Sequence, residues 1–366
     1  MRRAFMAPEY RGMHDRGLSY PSRSAMIGEL AVLPLLGSNG LTMGRRENSL
    51  WGGRCAGALA GLAALVVGVS CMPPDVPSRL SGSLPEAFLA RLEPDSVRVR
   101  FVREGLSYHY LWSPKGPWAI HMLRLDLRRC DLGFEVLPAG LADPGEPGLS
   151  TVTNLVREAG PLVVAAVNGD FFTPEGRPVG PEVAVGRLLW SRSRPAFAWQ
   201  PGTDPWIGTA ELGDDGGLSA GSWIPREKAG QTQVVGGFPE LLDGGRPVLG
   251  LALDRSQDFA SVRHPRTAVA YDPAGQTLWL MVVDGRQGAY SSGMTLEEVT
   301  GTFESLGATE ALNLDGGGSS VMVVHGIARS RPSDADGERA VRNALAVVGD
   351  PEYCRALSGP TLEGGA

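Results

Sequence analysis

The chain holds 366 residues with a formal net charge of −6, punctuated by 50 glycines and 28 prolines. That length suits one large domain or two small ones, and the turn-rich composition favours sheets over a helical bundle. An acidic chain with no basic stripe in its later part excludes a nucleic-acid binder.

The first 70 residues run against this balance, with more basic than acidic side chains. Residues 1–42 show no pattern of a folded element, which puts the expected true start at Met43. From there Arg45, Arg46 and Arg54 make a positive segment, and Ala56 to Val69 an apolar run short for a membrane span. Gly68 and Ser70 then lead into Cys71. Residues 43–70 resemble a bacterial lipoprotein signal, with Cys71 lipidated at the mature N-terminus. A transmembrane anchor and a cleaved secretory signal are the alternatives. The expected product is an exported protein, periplasmic or in the cell envelope and held to a membrane by that lipid.

Residues 71–95 read as a Pro/Ser-rich tether, 96–350 as a single domain and 351–366 as a tail. Within that domain, "VRVRFV" alternates Val97, Val99 and Phe101, the period of a half-buried strand. Ala119 to Leu127 and Gly133 to Pro138 read as further strands. Cys130 and Cys354 remain in the exported body; they are either bridged or two free thiols. A helix follows Ser150 and stops at Gly160, with Val152, Leu155 and Val156 on one face. "PLVVAAVN" is a buried strand ending at Asn168. Residues 200–232 suggest loops or short edge strands.

"RTAVAYDPAGQTLWLMVVDGR" predicts a hairpin about "DPAG". "MTLEEVTGTFESLGA" predicts a helix: Thr295 and Glu298 form a capping box, Leu296, Val299, Phe303 and Leu306 line one face, and Gly307 ends it. Strands in "EALNLD", "SVMVVHG" and "ALAVVG" complete an expected α+β fold, one domain with a mixed, largely antiparallel sheet flanked by a few helices.

Four strand ends carry polar clusters: Asn168 and Asp170; Arg263, His264 and Arg266; Asp284, Arg286, Ser291 and Ser292; Asn313, Asp315, Ser319 and Ser320. Charges there are costly in a core, so they are expected to face one cleft. Gly316, Gly317 and Gly318 exceed what a tight turn needs. With Ser319 and Ser320 they predict a run of free backbone N–H groups suited to an anion. The chain lacks a nucleotide P-loop, a nucleophile elbow and histidines at zinc spacing. "DADGE" (Asp334 to Glu338) faintly resembles a calcium loop and reads mainly as a solvated turn. No cofactor is indicated; a divalent cation stays open.

The ordered motifs "NGDFF", "PVGPEVAVGRLL", "VVGGFPELL", "RHPRTAVAY", "VVDGR…SSGMTLEEV", "LNLDGGGSSVMVV" and "ERAVRNALAVV" resemble the phosphodiester glycosidase family from about Trp118 to Gly349. That family includes enzymes of N-acetylglucosamine-1-phosphodiester type and bacterial proteins of exopolysaccharide biosynthesis. The resemblance implies hydrolysis of a sugar-1-phosphodiester within a phosphorylated glycan. A carboxylate near the anomeric carbon is needed, and Asp315 and Asp284 are the candidates. The departing phosphate ester is already anionic, so cations and N–H donors matter more than a general acid. Arg266 and Arg286 are the candidate cations, and Gly316 to Ser320 the candidate donors. Asn168 and Glu182 are candidates for sugar hydroxyls or an acetamido group. Asp170 joins the substrate-binding set, at a position where many members carry a small residue. A non-catalytic glycan-binding lipoprotein and a structural envelope protein are the other classes.

Overall fold

A computed structural model describes residues 84–140, 146–184, 186–212, 218–219, 232–250 and 256–358, all within a compact unit spanning Met72–Ala366. The leader with its lipoprotein-type signal, Cys71 and parts of the 200–232 stretch lie outside the described residues.

Helix α1 (Glu86–Leu92) leads into a meander of β1 (Ser96–Arg103), β2 (Leu106–Ser113) and β3 (Trp118–Asp126). Then come β4 (Leu132–Pro138), α2 (Val152–Ala159) and β5 (Val163–Asn168). The next stretch holds β6 (Glu182–Ala184), β7 (Arg187–Trp190), β8 (Arg194–Trp199), β9 (Trp206–Leu212), β10 (Leu218–Ser219) and β11 (Gln233–Gly236). The chain continues through β12 (Glu240–Asp243), β13 (Arg246–Pro247), α3 (Gln257–Ser261), β14 (Arg266–Asp272) and β15 (Thr277–Val283). It closes with α4 (Leu296–Ser305), β16 (Glu310–Asn313), a 3-10 turn Gly317–Ser319, β17 (Met322–Val324), β18 (Ile327–Ala328), β19 (Asn343–Gly349) and α5 (Glu352–Ser358).

The strands form three sheets rather than one mixed sheet, ordered β1-β2-β3-β15-β14-β16-β12-β13, β10-β9-β8-β11-β6-β7 and β18-β17-β5-β19-β4. All strand pairs among the described residues are antiparallel. β15 shows why its sequence reads as a continuous apolar run. Leu278, Leu280 and Val282 join a core shared with Val167, Val323 and Leu345 of the five-stranded sheet. Trp279, Met281 and Val283 point the other way, into a core closed by Phe88 and Leu92 of α1 and Leu296, Val299 and Phe303 of α4. A central strand covered on both faces has no polar side to display. The expected flanking helices reduce to α1 and α4 on this one face of the large sheet, with α2 on the five-stranded sheet.

The capping box of α4 is present as read from the sequence: Thr295 accepts from the Glu298 N–H and Glu298 accepts from the Thr295 N–H. Two readings need correction. Residues 71–95 are not tether throughout, because α1 buries Phe88 and Leu92 fully. Val97, Val99 and Phe101 are 43%, 47% and 58% exposed rather than half-buried on a core, since β1 is the edge of its sheet. Of the two options for the cysteines, the structure has the bridge: Cys130 and Cys354 form a disulfide with Cα atoms 4.8 Å apart.

Candidate active site

β5, β14 and β16 end or begin at one place, and Asn168 ties them together there. Its Oδ1 accepts from the Thr267 hydroxyl at 2.7 Å and the Val321 N–H at 3.1 Å, and its Nδ2 donates to the Asp315 carbonyl at 2.7 Å. Both ends of this fully buried amide are used within the protein. Asn168 therefore shapes the 315–321 turn, in place of the sugar contact expected of it.

Asp315 follows this junction. Its backbone N–H donates to the Gly169 carbonyl, and its Oδ1 accepts from the Gly316 N–H at 2.8 Å. Burial pushes the carboxyl up to about 6, while the neighbouring Ser319 hydroxyl, the Gly316 N–H and the charge of Arg339 pull it back. A partly buried carboxyl with a raised pKa at a strand end is a candidate for chemistry.

The three glycines have individual reasons: a Cβ on Gly316 would stand 2.9 Å from the Pro265 carbonyl oxygen. Gly317 takes φ +63°, and a Cβ there would stand 3.1 Å from Nη2 of Arg286. A Cβ on Gly318 would run into the Arg339–Asp334 ion pair. The glycines thus make room for two of the protein's own arginines. They do not present the expected row of free donors: the N–H groups of Gly316, Gly317, Ser319 and Ser320 already bond to Asp315, Pro265, Gly316 and Gly317. The cations beside the turn are Arg286 and Arg339.

Arg286 is held at φ +59°, a conformation that costs a residue with a Cβ on the order of 1–2 kcal/mol. Its Nη2 lies 3.3 Å from His264 Nδ1 and donates to it. Burial, then the charges of Arg266 and Arg286, lower the His264 pKa, which favours the neutral, accepting ring.

The remaining expected site residues serve this arrangement from behind. Arg266 is fully buried on the helix-covered face of β14, since Thr267 takes the face towards Asn168. Its Nε and Nη2 donate to the carbonyls of Met294, Phe259 and Val262, so it anchors the flanking loops instead of facing Asp315. Asp284 is likewise enclosed: Oδ2 accepts from the Tyr290 hydroxyl at 2.9 Å and lies 3.1 Å from His121 Nε2, and Oδ1 accepts from the Arg331 N–H. It pins the loop that carries Arg286.

Glu182 is wholly buried in an ion pair with Arg342, at 2.6 Å, and also accepts from Asn343 Nδ2. The same Asn343 accepts from the Asp170 N–H through its Oδ1. Asp170 accepts from the N–H groups of Phe171 and Gly180, and burial is the main cause that raises its carboxyl to about 7, with Asp315 adding to the rise. Glu182 and Asp170 therefore form a floor beneath the site.

Two residues have no role assigned from the sequence: His264, expected only among the polar groups of the cleft, and Arg339. His264 stands in the quoted "RHPRTAVA" cluster, and a histidine beside two arginines was its signal. Arg339 was hidden in "ERAVRN"; its partner Asp334 belongs to the "DADGE" turn, whose Glu338 meanwhile accepts from the Thr153 N–H and hydroxyl at the start of α2.

A family model described as Phosphodiester glycosidase matches residues 162–348. Bovine N-acetylglucosamine-1-phosphodiester alpha-N-acetylglucosaminidase is 30% identical over 282 residues, 67% of this chain and 50% of its own length. The mouse protein of the same name is 28% identical over 219 residues, 55% of this chain and 39% of its own. The chain thus spans half or less of these relatives. In three dimensions it is similar to a hypothetical protein from Synechocystis (TM-score 0.55, 20% identity, covering 69% of this chain and 63% of that one). It is also similar to the catalytic domain of the zebrafish N-acetylglucosamine-1-phosphodiester alpha-N-acetylglucosaminidase (TM-score 0.50, 21% identity, 69% and 81%).

Proposed function

Because this chain belongs to the phosphodiester glycosidase family, we propose that it hydrolyses a sugar-1-phosphodiester, of N-acetylglucosamine-1-phosphodiester type, at the Asp315–Arg286 site. The observation that carries the reading is the glycine turn, where a carboxyl with a raised pKa and a strained arginine are brought to one spot.

The chemistry follows from the charges. Bond breaking at the anomeric carbon builds positive charge on the sugar ring, and an ionised Asp315 compensates it or directs water to it. The phosphate ester departs as an anion. Arg286, with Arg339 behind Gly318, offers it charge-assisted hydrogen bonds that a general acid would otherwise have to replace. His264 steadies the Arg286 guanidinium by accepting a hydrogen bond from it.

The setting proposed is outside the cytoplasm, in envelope or exopolysaccharide metabolism, with a lipid on Cys71 as the anchor. The leader pattern supports this, as does a disulfide of the kind that persists in oxidising compartments.

The test is to incubate the purified protein with a panel of sugar-1-phosphodiesters and the matching unphosphorylated glycosides, following released anomers by proton NMR. Cleavage confined to the diesters supports the reading. Equal cleavage of the plain glycosides, or cleavage of neither, ends it.

A further inference from the structure

The loop that lays Arg286 against the glycine turn also carries Tyr290, which faces a different cavity. This pocket of about 370 Å³ lies against the first strands of the eight-stranded sheet. Arg98 and Arg100 enter it from β1 and Arg329 from the residue after β18, while Tyr110, Trp112 and Tyr290 supply aromatic walls.

Strand periodicity explains the placement. Arg98 and Arg100 are two residues apart and share a face, opposite Tyr110 and Tyr108 in the β1–β2 register. Val97, Val99 and Phe101 take the other face. The charges of both Arg329 and Arg100 are felt at the Tyr108 hydroxyl, so the cations converge from two sides of the cavity. Among the described residues, none of these three arginines forms an ion pair with a carboxylate.

The rings are locked before any ligand arrives. Trp112 Nε1 donates to the Tyr290 carbonyl at 2.9 Å, and the Tyr290 hydroxyl donates to Asp284. His121 bridges Asp284 through Nε2 and the Tyr108 hydroxyl through Nδ1, at 3.1 Å and 2.7 Å. Asp284 is therefore consumed in fixing the floor and leaves the guanidinium groups to something else.

Three unpaired guanidiniums repel one another, and an anion with several oxygens relieves this through charge-assisted hydrogen bonds. Fixed aromatic faces suit the apolar face of a sugar ring. We propose that this pocket binds a phosphorylated sugar, its phosphate on Arg98, Arg100 and Arg329 and its ring against Tyr110 and Trp112, as an accessory subsite for the glycan cut near Asp315. Only that last link rests on the proposed function. β1, β2 and β3 precede residues 162–348, so the arginines of β1 lie outside the family-matched region.

The test uses the full-length protein and glucose 6-phosphate, a monoester with no diester at C1. Titrations by calorimetry run beside glucose, glucuronate and inorganic phosphate. Saturable binding of glucose 6-phosphate is expected, tighter than any of the other three. It should weaken by about tenfold or more in the Arg98→Gln/Arg100→Gln double variant and in Arg329→Gln. Arg98 and Arg100 are exposed on an edge strand, so their variants should melt as wild type does. Absence of saturable binding overturns the proposal, as does tighter binding of glucuronate. So does undiminished binding in these variants with loss in Arg286→Gln, which would put the phosphate at the glycine turn. If diester hydrolysis fails but this arginine-dependent binding persists, the proposed activity falls and the subsite stands.

Discussion

Arg286 lies over Gly317, so close that a Cβ at the glycine would meet its guanidinium at 3.1 Å. Both residues have positive φ, +59° and +63°, and each conformation serves the other's placement. Gly317→Ala should therefore cost about 1–2 kcal/mol in stability. It should also push the guanidinium off its position, raising KM for a phosphodiester beyond anything the melt explains. Steady-state kinetics on folded variant decide this: an unchanged KM would detach Arg286 from phosphate binding.

Asp315→Asn should lower turnover by about 10²–10⁴-fold, the usual loss for one positioned acid or base. Stability at neutral pH should not fall, because burial opposes ionisation of this carboxyl and the amide carries no charge. Single-turnover rates beside thermal melts separate this from a capping role, under which the protein would melt early and remain active.

Glu182→Ala should destabilise the fold by about 3–5 kcal/mol, since it strands Arg342 as a buried, unpaired charge. Denaturant unfolding measures this. A normal unfolding midpoint with a raised KM would restore the sugar-binding role that the sequence suggested.

Asp170 sets a pH dependence of known sign. Its folded pKa of about 7 lies above the ordinary value of 3.8, so folding takes up a proton. The stability this contributes is complete below the ordinary value and disappears as pH rises through about 7. Asp170→Asn removes the titration. The melting temperature of wild type minus variant should thus be greatest in acid and shrink towards alkaline pH. A flat difference across that range would show that folding does not shift the Asp170 pKa.

The sequence displayed what local periodicity and end signals encode. The Thr295–Glu298 capping box, the β14–β15 hairpin and the strand ending at Asn168 were all legible. Asp315 and Arg286 were legible as polar groups at strand ends beside glycine. What a side chain does with its donors was not, because the partners are remote in sequence. Glu182 meets Arg342 at a separation of 160 residues, and Gly317 gives its N–H to the Pro265 carbonyl. Arg266 illustrates the limit: strand parity puts Thr267 and Arg266 on opposite faces, but which face held the site depended on where Asn168 lay.

The Cys130–Cys354 bridge joins residues separated by 224 positions and closes the chain between them into a covalent ring. The family-matched region, residues 162–348, and the whole Asp315–Arg286 site lie inside that ring. β1, β2 and β3 lie outside it in sequence, as an arm tied to it through the β3–β15 pairing. The aromatic pocket straddles the boundary, with Arg98 and Arg100 on the arm and Tyr290 and Arg329 on the ring. Side chains on the exposed β1 edge can change without opening that closed ring, whereas β3 is buried in both cores and bound to it. If the proposed subsite and hydrolysis hold, recognition of a distant part of a glycan can diverge at that edge while the Asp315–Arg286 site stays as it is.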